Sequence, residues 1–202
     1  MNLDVIKKVM YDSFEEFRNH PNEHKKDKYN HCERVAVLAI NLRKLIFPDF
    51  SERDDILTVA AWFHDIRHGD ENHGTAGANK TREILSPYCS AQELDDICYI
   101  IDNHPRRDPQ NSELPPCLRL HQDADLLDHF GVFDAKVAIH RNVTVDGLRD
   151  FLLNERPKYI EMWRSQLNFD ISKKIYDDKI EFMKEFTNRF VVESKGEIYG
   201  YR

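Results

Sequence analysis

The 202-residue chain is 41% hydrophobic and 32% charged, a soluble globular balance with room for one domain, or one domain with a small extension. Its formal charge of -7 excludes a general nucleic-acid binder, which carries a basic stripe. A phosphorylated small molecule stays within reach wherever a metal or local Lys and Arg offset the repulsion.

The four cysteines (Cys32, Cys89, Cys98, Cys117) contain no C-x-x-C pair, which argues against a disulfide scaffold and for a reducing compartment. The N-terminal MNLDVIKKVMYDSFEEF is amphipathic and lacks a signal-peptide core, and the longest nearly apolar run, Ile56 to Phe63, is too short to span a bilayer. The expectation is a cytoplasmic protein whose partners include neither a membrane nor a nucleic-acid polymer; oligomerisation is left open.

Glycine is scarce, with seven residues, and apolar residues recur at steps of three and four, so the spacing predicts an all-α chain. From about Asn30, Val35, Leu38, Leu42 and Leu45 form one stripe, and His31, four residues before Val35, points inward with it. Pro48 marks the end of that helix. Ser51-x-x-Asp54 resembles a capping box and predicts a helix from about residue 52. Leu57, Ala60 and His64 share a face there, and residues 56–63 are apolar nearly all round, so His64 ends a core helix. His73, Gly77, Lys80 and Ile84 share the next face, with Gly77 admitting a close neighbour, and Pro87 follows.

Ser90-x-x-Glu93 predicts a further helix from about residue 91, whose stripe Leu94, Ile97, Ile101 and His104 stops before Pro105. Residues 105–116, PRRDPQNSELPP, read as a loop. In LHQDADLLDHFG, residues 120–131, periodicity does not choose between Asp123 and Asp125 as the inward carboxylate, and Asp128 and His129 read as solvated. A weak boundary at 142–146 precedes a second helical stretch to about Phe190. There Ile171, Ile175, Phe182, Phe186 and Phe190 form a packing stripe, and Trp62 and Phe63 likewise read as core. The tail beyond Glu193 is expected to fray.

Four histidines, His31, His64, His73 and His104, thus extend apolar stripes at helix ends, with Asp65, Asp102 and Asp125 nearby. A single inward histidine is usually a hydrogen-bonded core residue. Four with acidic neighbours point to a metal, because neutral imidazole is the commonest ligand and a buried carboxylate needs a cation or donors.

YNHCERV (His31), FHDI (His64-Asp65) and DADLLDHFG (Asp125) resemble the H…HD…D signature of the HD-domain superfamily of metal-dependent phosphohydrolases. NHGTAGA (His73) and DNHP (His104) are similar to accessory histidines of many members, and IYDDKIEFMKEFTNRF to the closing helix of the bacterial single-domain branch. The likeness covers about residues 25–192. It implies one HD-type helical bundle over 1–202, with a core of about five helices at 25–141 and a C-terminal helical extension at 142–192.

By this resemblance His31, His64, Asp65 and Asp125 bind a divalent ion, His64 and Asp65 counting also as catalytic, and Asp123 becomes a supporting partner of the ligands or a structural group. His73 and His104 take a second metal or the substrate phosphate, or else hydrogen-bond to the ligands. Two imidazoles and two carboxylates suit manganese, iron, nickel, magnesium or zinc and leave positions open. Such an ion acidifies water and polarises a phosphoryl oxygen. Cations to stabilise the developing charge come from Arg67, His68, Lys80, Arg106 and Arg107, while Glu71 reads as an exposed loop carboxylate.

The implied activity is hydrolysis of a small phosphorylated compound, foremost a nucleotide, by phosphomonoester cleavage or by release of pyrophosphate from a nucleoside triphosphate. Alarmone hydrolases carry H-D-x-x-E-D, whereas IRHGDE follows His64 here in the form HD-IRHGDE, and the G-Y-P motif of cyclic-dinucleotide phosphodiesterases is absent. The rivals are a metal-dependent nucleotide sensor without turnover and a structural protein with satisfied core histidines.

Overall fold

The computed structural model describes residues 1–142 and 144–200, apart from the side chain of His24. Val143, in the expected boundary, and Tyr201 and Arg202, in the tail, lie outside the described residues. Every regular element among the described residues is helical, and none of these helices is long and apolar enough to cross a membrane. The α-helices are α1 (Leu3–Ser13), α2 (Glu15–Arg18), α3 (Glu23–Lys26), α4 (Lys28–Ile46), α5 (Asp54–Phe63), α6 (His73–Leu85), α7 (Ala91–Asn103), α8 (Pro116–Asp128), α9 (Val132–Arg141), α10 (Val145–Asp150), α11 (Ile160–Ser165) and α12 (Asp170–Glu193). They fall into two compact units, Met1–Asp125 and Leu126–Arg202.

In the first unit α5 is the central helix and packs against α1, α4 and α7, while α6 pairs with α7. The reason is compositional. From Ile56 to Phe63 only Thr58 is polar, and Leu57, Val59, Ala60, Ala61 and Phe63 are fully buried. Alanines 36, 39, 60 and 61, all buried, let α4 and α5 approach closely. The predicted α4 stripe is rotated. Cys32, Val35, Ala36, Ala39 and Leu42 are buried, whereas Leu45 is 64% exposed, because a straight helix of 3.6 residues per turn drifts off a stripe drawn in sevens.

Two caps illustrate when local sequence decides a helix start. Ser90 and Glu93 form the expected capping box, with Glu93 N–H donating to Ser90 Oγ (3.3 Å) and Ser90 N–H to Glu93 Oε2 (2.7 Å). At Ser51 the expectation is corrected: residues Ser51–Arg53 form a single 3-10 turn, and α5 starts at Asp54 without a side-chain cap. The Asp54 carboxylate is taken by Arg43, whose Nε donates to Oδ1 (2.8 Å) and Nη2 to Oδ2 (2.5 Å). Arg43 Nη1 also donates to Pro48 O (3.0 Å), so one guanidinium ties down the α4–α5 connection. Helices α4, α6 and α7 stop before Pro48, Pro87 and Pro105, as expected.

Glycines are needed where α6 meets its neighbours. A Cβ on Gly77 would lie 3.3 Å from the carbonyl oxygen of His64, and one on Gly74 would lie 2.7 Å from that of Asp102. Gly69, at φ +107°, turns the chain between the end of α5 and the start of α6 in a conformation that side chains disfavour.

The second unit has its own core of Ala135, Ala138, Leu148, Leu152 and Met183, with Phe151, Phe186 and Phe190 packed against it. Residues Phe151–Glu155 form a wide π turn, followed by the 3-10 turn Arg156–Tyr159. The buried face of α12 is Ser172, Tyr176, Ile180, Met183 and Thr187. This corrects the predicted stripe: Phe182 is 44% exposed, while Phe186 and Phe190 stay at the edge of the core. Asp128, expected to be solvated, is buried at 3% exposure, whereas His129 is exposed.

Candidate metal centre

Helix ends supply the side chains. His31 lies in the first turns of α4, His64 caps the C-terminus of α5 with Asp65 next to it, and His73 opens α6. His104 caps the C-terminus of α7, and Asp125 lies in α8. His64 and His104 share one local design. In each, ring Nδ1 is held by the carbonyl three residues back, Ala61 O at 2.8 Å and Ile101 O at 2.6 Å. A carbonyl only accepts, so Nδ1 carries the proton and Nε2 is the nitrogen that could hold an ion.

The Nε2 atoms of His31 and His64 converge on two carboxylates. His31 Nε2 lies 3.3 Å from Asp125 Oδ1 and 3.8 Å from Asp65 Oδ2. His64 Nε2 lies 3.6 Å and 3.7 Å from the same two oxygens. All four side chains are at least mostly buried, with His64 at 1% and Asp125 at 14% exposure. Among the described residues, buried His64 Nε2 makes no hydrogen bond. A ring nitrogen and two carboxylate oxygens held just beyond hydrogen-bond distance around a common point match the donor set of a divalent ion. His31, His64 and Asp65 form one group with ligand atoms within 4.8 Å of one another, and Asp65, His73 and His104 form a second. The chain therefore has a His/Asp cluster able to hold a divalent metal, and Asp65 belongs to both groups.

Burial works to raise the pKa of Asp65, but His64, His68 and Lys28 outweigh it and keep the carboxyl well below the usual range. Burial works against an imidazolium at His64, yet the Cys32 sulfur and the Asp65 and Asp125 carboxylates outweigh it, and its pKa lies well above the ordinary value. His104 is pushed down to about 4, by burial first and then by His64. Burial also holds His121 well below the ordinary value.

The remaining residues expected at the site divide by their partners. His68 Nδ1 lies 3.5 Å from Asp65 Oδ1 at 35% exposure, and the His73 ring is 5.1 Å from that of His104. Arg107 is drawn in: its Nη2 donates to Asp125 Oδ2 (2.8 Å) and its Nη1 to Gln122 O (2.5 Å). Arg67 pairs with Asp70 (2.8 Å) at 49% exposure, and Arg106 with Asp102 (3.3 Å) at 62% exposure. Lys80, expected on an inward face, lies two turns beyond His73, where its ammonium pairs with Glu83 (2.9 Å) at the surface. Glu71 is exposed.

Four residues at the site escaped the sequence reading. Lys28 is 4% exposed and donates to Asp65 Oδ2 (2.6 Å). Cys32 Sγ sits 3.7 Å from His64 Nδ1. The His121 ring packs 4.9 Å from that of His64, fully buried, with no hydrogen bond to either nitrogen among the described residues. The Gln122 amide donates to the carbonyls of Asn103 (3.3 Å), His104 (3.3 Å) and Arg106 (2.9 Å), tying the end of α7 to α8. Spacing held a signal for two of them: Lys28 precedes His31 by three residues and His121 precedes Asp125 by four, each on the helical face of a candidate ligand.

The sequence profile of the HD domain matches residues 29–129, half of the chain and the stretch that carries His31, His64, Asp65 and Asp125. The chain belongs to the HD domain family. Two solved structures share the HD-domain architecture at 20% sequence identity. One is an HD-superfamily hydrolase from Bacillus thuringiensis, with a TM-score of 0.66 over 96% of this chain and 99% of that one. The other is a predicted HD superfamily hydrolase from an uncultured Thermotogales bacterium, with a TM-score of 0.59 over 95% of this chain and 92% of that one. No curated protein matches the chain.

Proposed function

We propose that this HD domain is a metal-dependent phosphohydrolase acting on a small phosphorylated compound, foremost a nucleotide, by phosphomonoester cleavage or nucleoside triphosphate pyrophosphohydrolysis. His31, His64, Asp65 and Asp125 would hold the ion. Bound there, a divalent ion supplies an acidified water and a Lewis acid for a phosphoryl oxygen. The hydrolase descriptions of the two solved relatives support this reading.

The observation that carries the proposal is the charge around the ligands. Asp65 is paired with Lys28 at 2.6 Å and Asp125 with Arg107 at 2.8 Å. Two cations cancel two carboxylates before any ion arrives, so a bound divalent ion would leave positive charge that those carboxylates do not compensate, suited to an anionic phosphate. In a chain with formal charge -7, that local balance offsets the general repulsion of phosphate.

His68 and His73, at the less buried edge of the cluster, are the substrate-facing groups in this reading. His73 and His104 serve either a second ion, together with Asp65, or the substrate phosphate, which metal stoichiometry separates. Manganese, iron, nickel, magnesium and zinc all suit the donor set, manganese being the first to try. The four free thiols fit a cytoplasmic setting.

The test is a screen of phosphorylated metabolites with Mn²⁺ or Mg²⁺, repeated on His64→Ala and Asp125→Ala. The reading expects turnover in the wild type and its loss in both variants. Equal turnover in all three rejects it, and metal-dependent nucleotide binding without turnover favours a sensor.

A further inference from the structure

Asp125 has two carboxylate oxygens, and the structure gives them different neighbours. Oδ1 faces Nε2 of His31 at 3.3 Å and Nε2 of His64 at 3.6 Å. Oδ2 accepts from Arg107 Nη2 at 2.8 Å. Arg107 is itself anchored, because its other nitrogen, Nη1, donates to the backbone carbonyl of Gln122 at 2.5 Å. Gln122 and Asp125 are three residues apart on α8, so one guanidinium bridges the helix backbone and the carboxylate on a single face. The planar fork of arginine fixes both contacts at once, which a lysine ammonium cannot do.

We infer that Arg107 is a positioning residue for metal binding: it occupies Oδ2 of Asp125 and presents Oδ1 alone to the ion. The inference rests on the metal-binding reading above and adds to it. It reassigns Arg107, a loop arginine expected to meet the substrate. The side chain is 12% exposed and the carboxylate it holds 14% exposed, so the pair is shielded and its geometry persists. Arg82 provides the contrast. Its Nη2 also sits 2.8 Å from an aspartate, Asp95, but at 46% and 62% exposure and outside the cluster, where such a pair contributes little.

The test measures Mn²⁺ affinity of the full chain by calorimetry and the bound-Mn²⁺ line shape by electron paramagnetic resonance. Wild type, Arg107→Ala, Arg107→Lys and Arg82→Ala are compared, with thermal unfolding as a check on folding. Loss of an outer partner of a ligand typically weakens metal binding by about 10- to 100-fold, the effect expected for Arg107→Ala. Arg107→Lys should recover part of the affinity, and Arg82→Ala should match the wild type in both readouts. Should Arg107→Ala fail to fold, Arg107→Lys decides: a changed line shape and weaker binding support the inference, and wild-type values overturn it. A folded Arg107→Ala that binds Mn²⁺ as the wild type does overturns the inference alone, as for an arginine that touches only substrate. A wild type that binds no Mn²⁺ overturns the metal reading and the inference together.

Discussion

Lys28 and Asp65, 37 residues apart in sequence, form a buried ion pair with Nζ 2.6 Å from Oδ2. Neither side chain is more than 6% exposed. The pair joins the first turn of α4 to the residue after the α5 cap, so it closes the cluster and neutralises a candidate ligand at once.

Removing the lysine leaves a buried carboxylate without its cation. In the metal-free protein Lys28→Met should cost about 3–5 kcal/mol, the usual penalty for breaking a buried pair from one side. Excess Mn²⁺ should shrink that loss, since the ion offers Asp65 a replacement charge. Urea unfolding with chelator and with Mn²⁺ checks both parts, and unchanged stability in chelator would contradict the account.

Gly74→Ala tests the α6–α7 contact that brings His73 and His104 together. The added Cβ would meet the Asp102 carbonyl oxygen at 2.7 Å and the Pro105 ring at 3.1 Å, so backbone has to move. The expected cost is about 1–3 kcal/mol, read by thermal unfolding. A neutral substitution would mean that the helices are not so closely packed.

His104 should make the metal-free protein acid-sensitive. Its pKa is about 4 when folded, because burial disfavours the imidazolium. In the unfolded chain it returns to about 6.5. Between those values the unfolded state binds more protons, so stability present above pH 6.5 is lost as pH falls toward 4, by about 3 kcal/mol. His104→Gln, followed by urea unfolding in chelator across this range, should flatten the slope. An unchanged slope would show that His104 is not the group responsible.

Metal binding should release a proton. The raised pKa of His64 in the metal-free protein puts a proton on Nε2, since Nδ1 already donates to Ala61 O. An ion held by these side chains would displace that proton, so Mn²⁺ affinity should rise as pH rises through the His64 pKa. Calorimetry in buffers of different ionisation enthalpy counts the proton. An affinity independent of pH would contradict this.

Much of the site was legible because its histidines end apolar stripes, and a stripe fixes which way a side chain points. The α7 capping box and the proline stops were legible for a similar reason: their chemistry is local. Other features depend on partners distant in sequence. Ser51 forms no capping box, although a helical turn starts there, because Arg43, in another helix, claims Asp54. Lys28 went unread because its partner, Asp65, lies 37 residues away. Arg107 stood in a polar loop, and only the fold brings it against Asp125. Asp128 next to an exposed histidine read as surface, yet it is buried, because helical burial changes within a single residue step.

The central claim is best tested by a crystal structure of the chain soaked with Mn²⁺, with anomalous differences collected at the manganese edge. The account predicts a peak bonded by Nε2 of His31, Nε2 of His64, a carboxylate oxygen of Asp65 and Oδ1 of Asp125. A peak held by other residues, or none at saturating Mn²⁺, would contradict it.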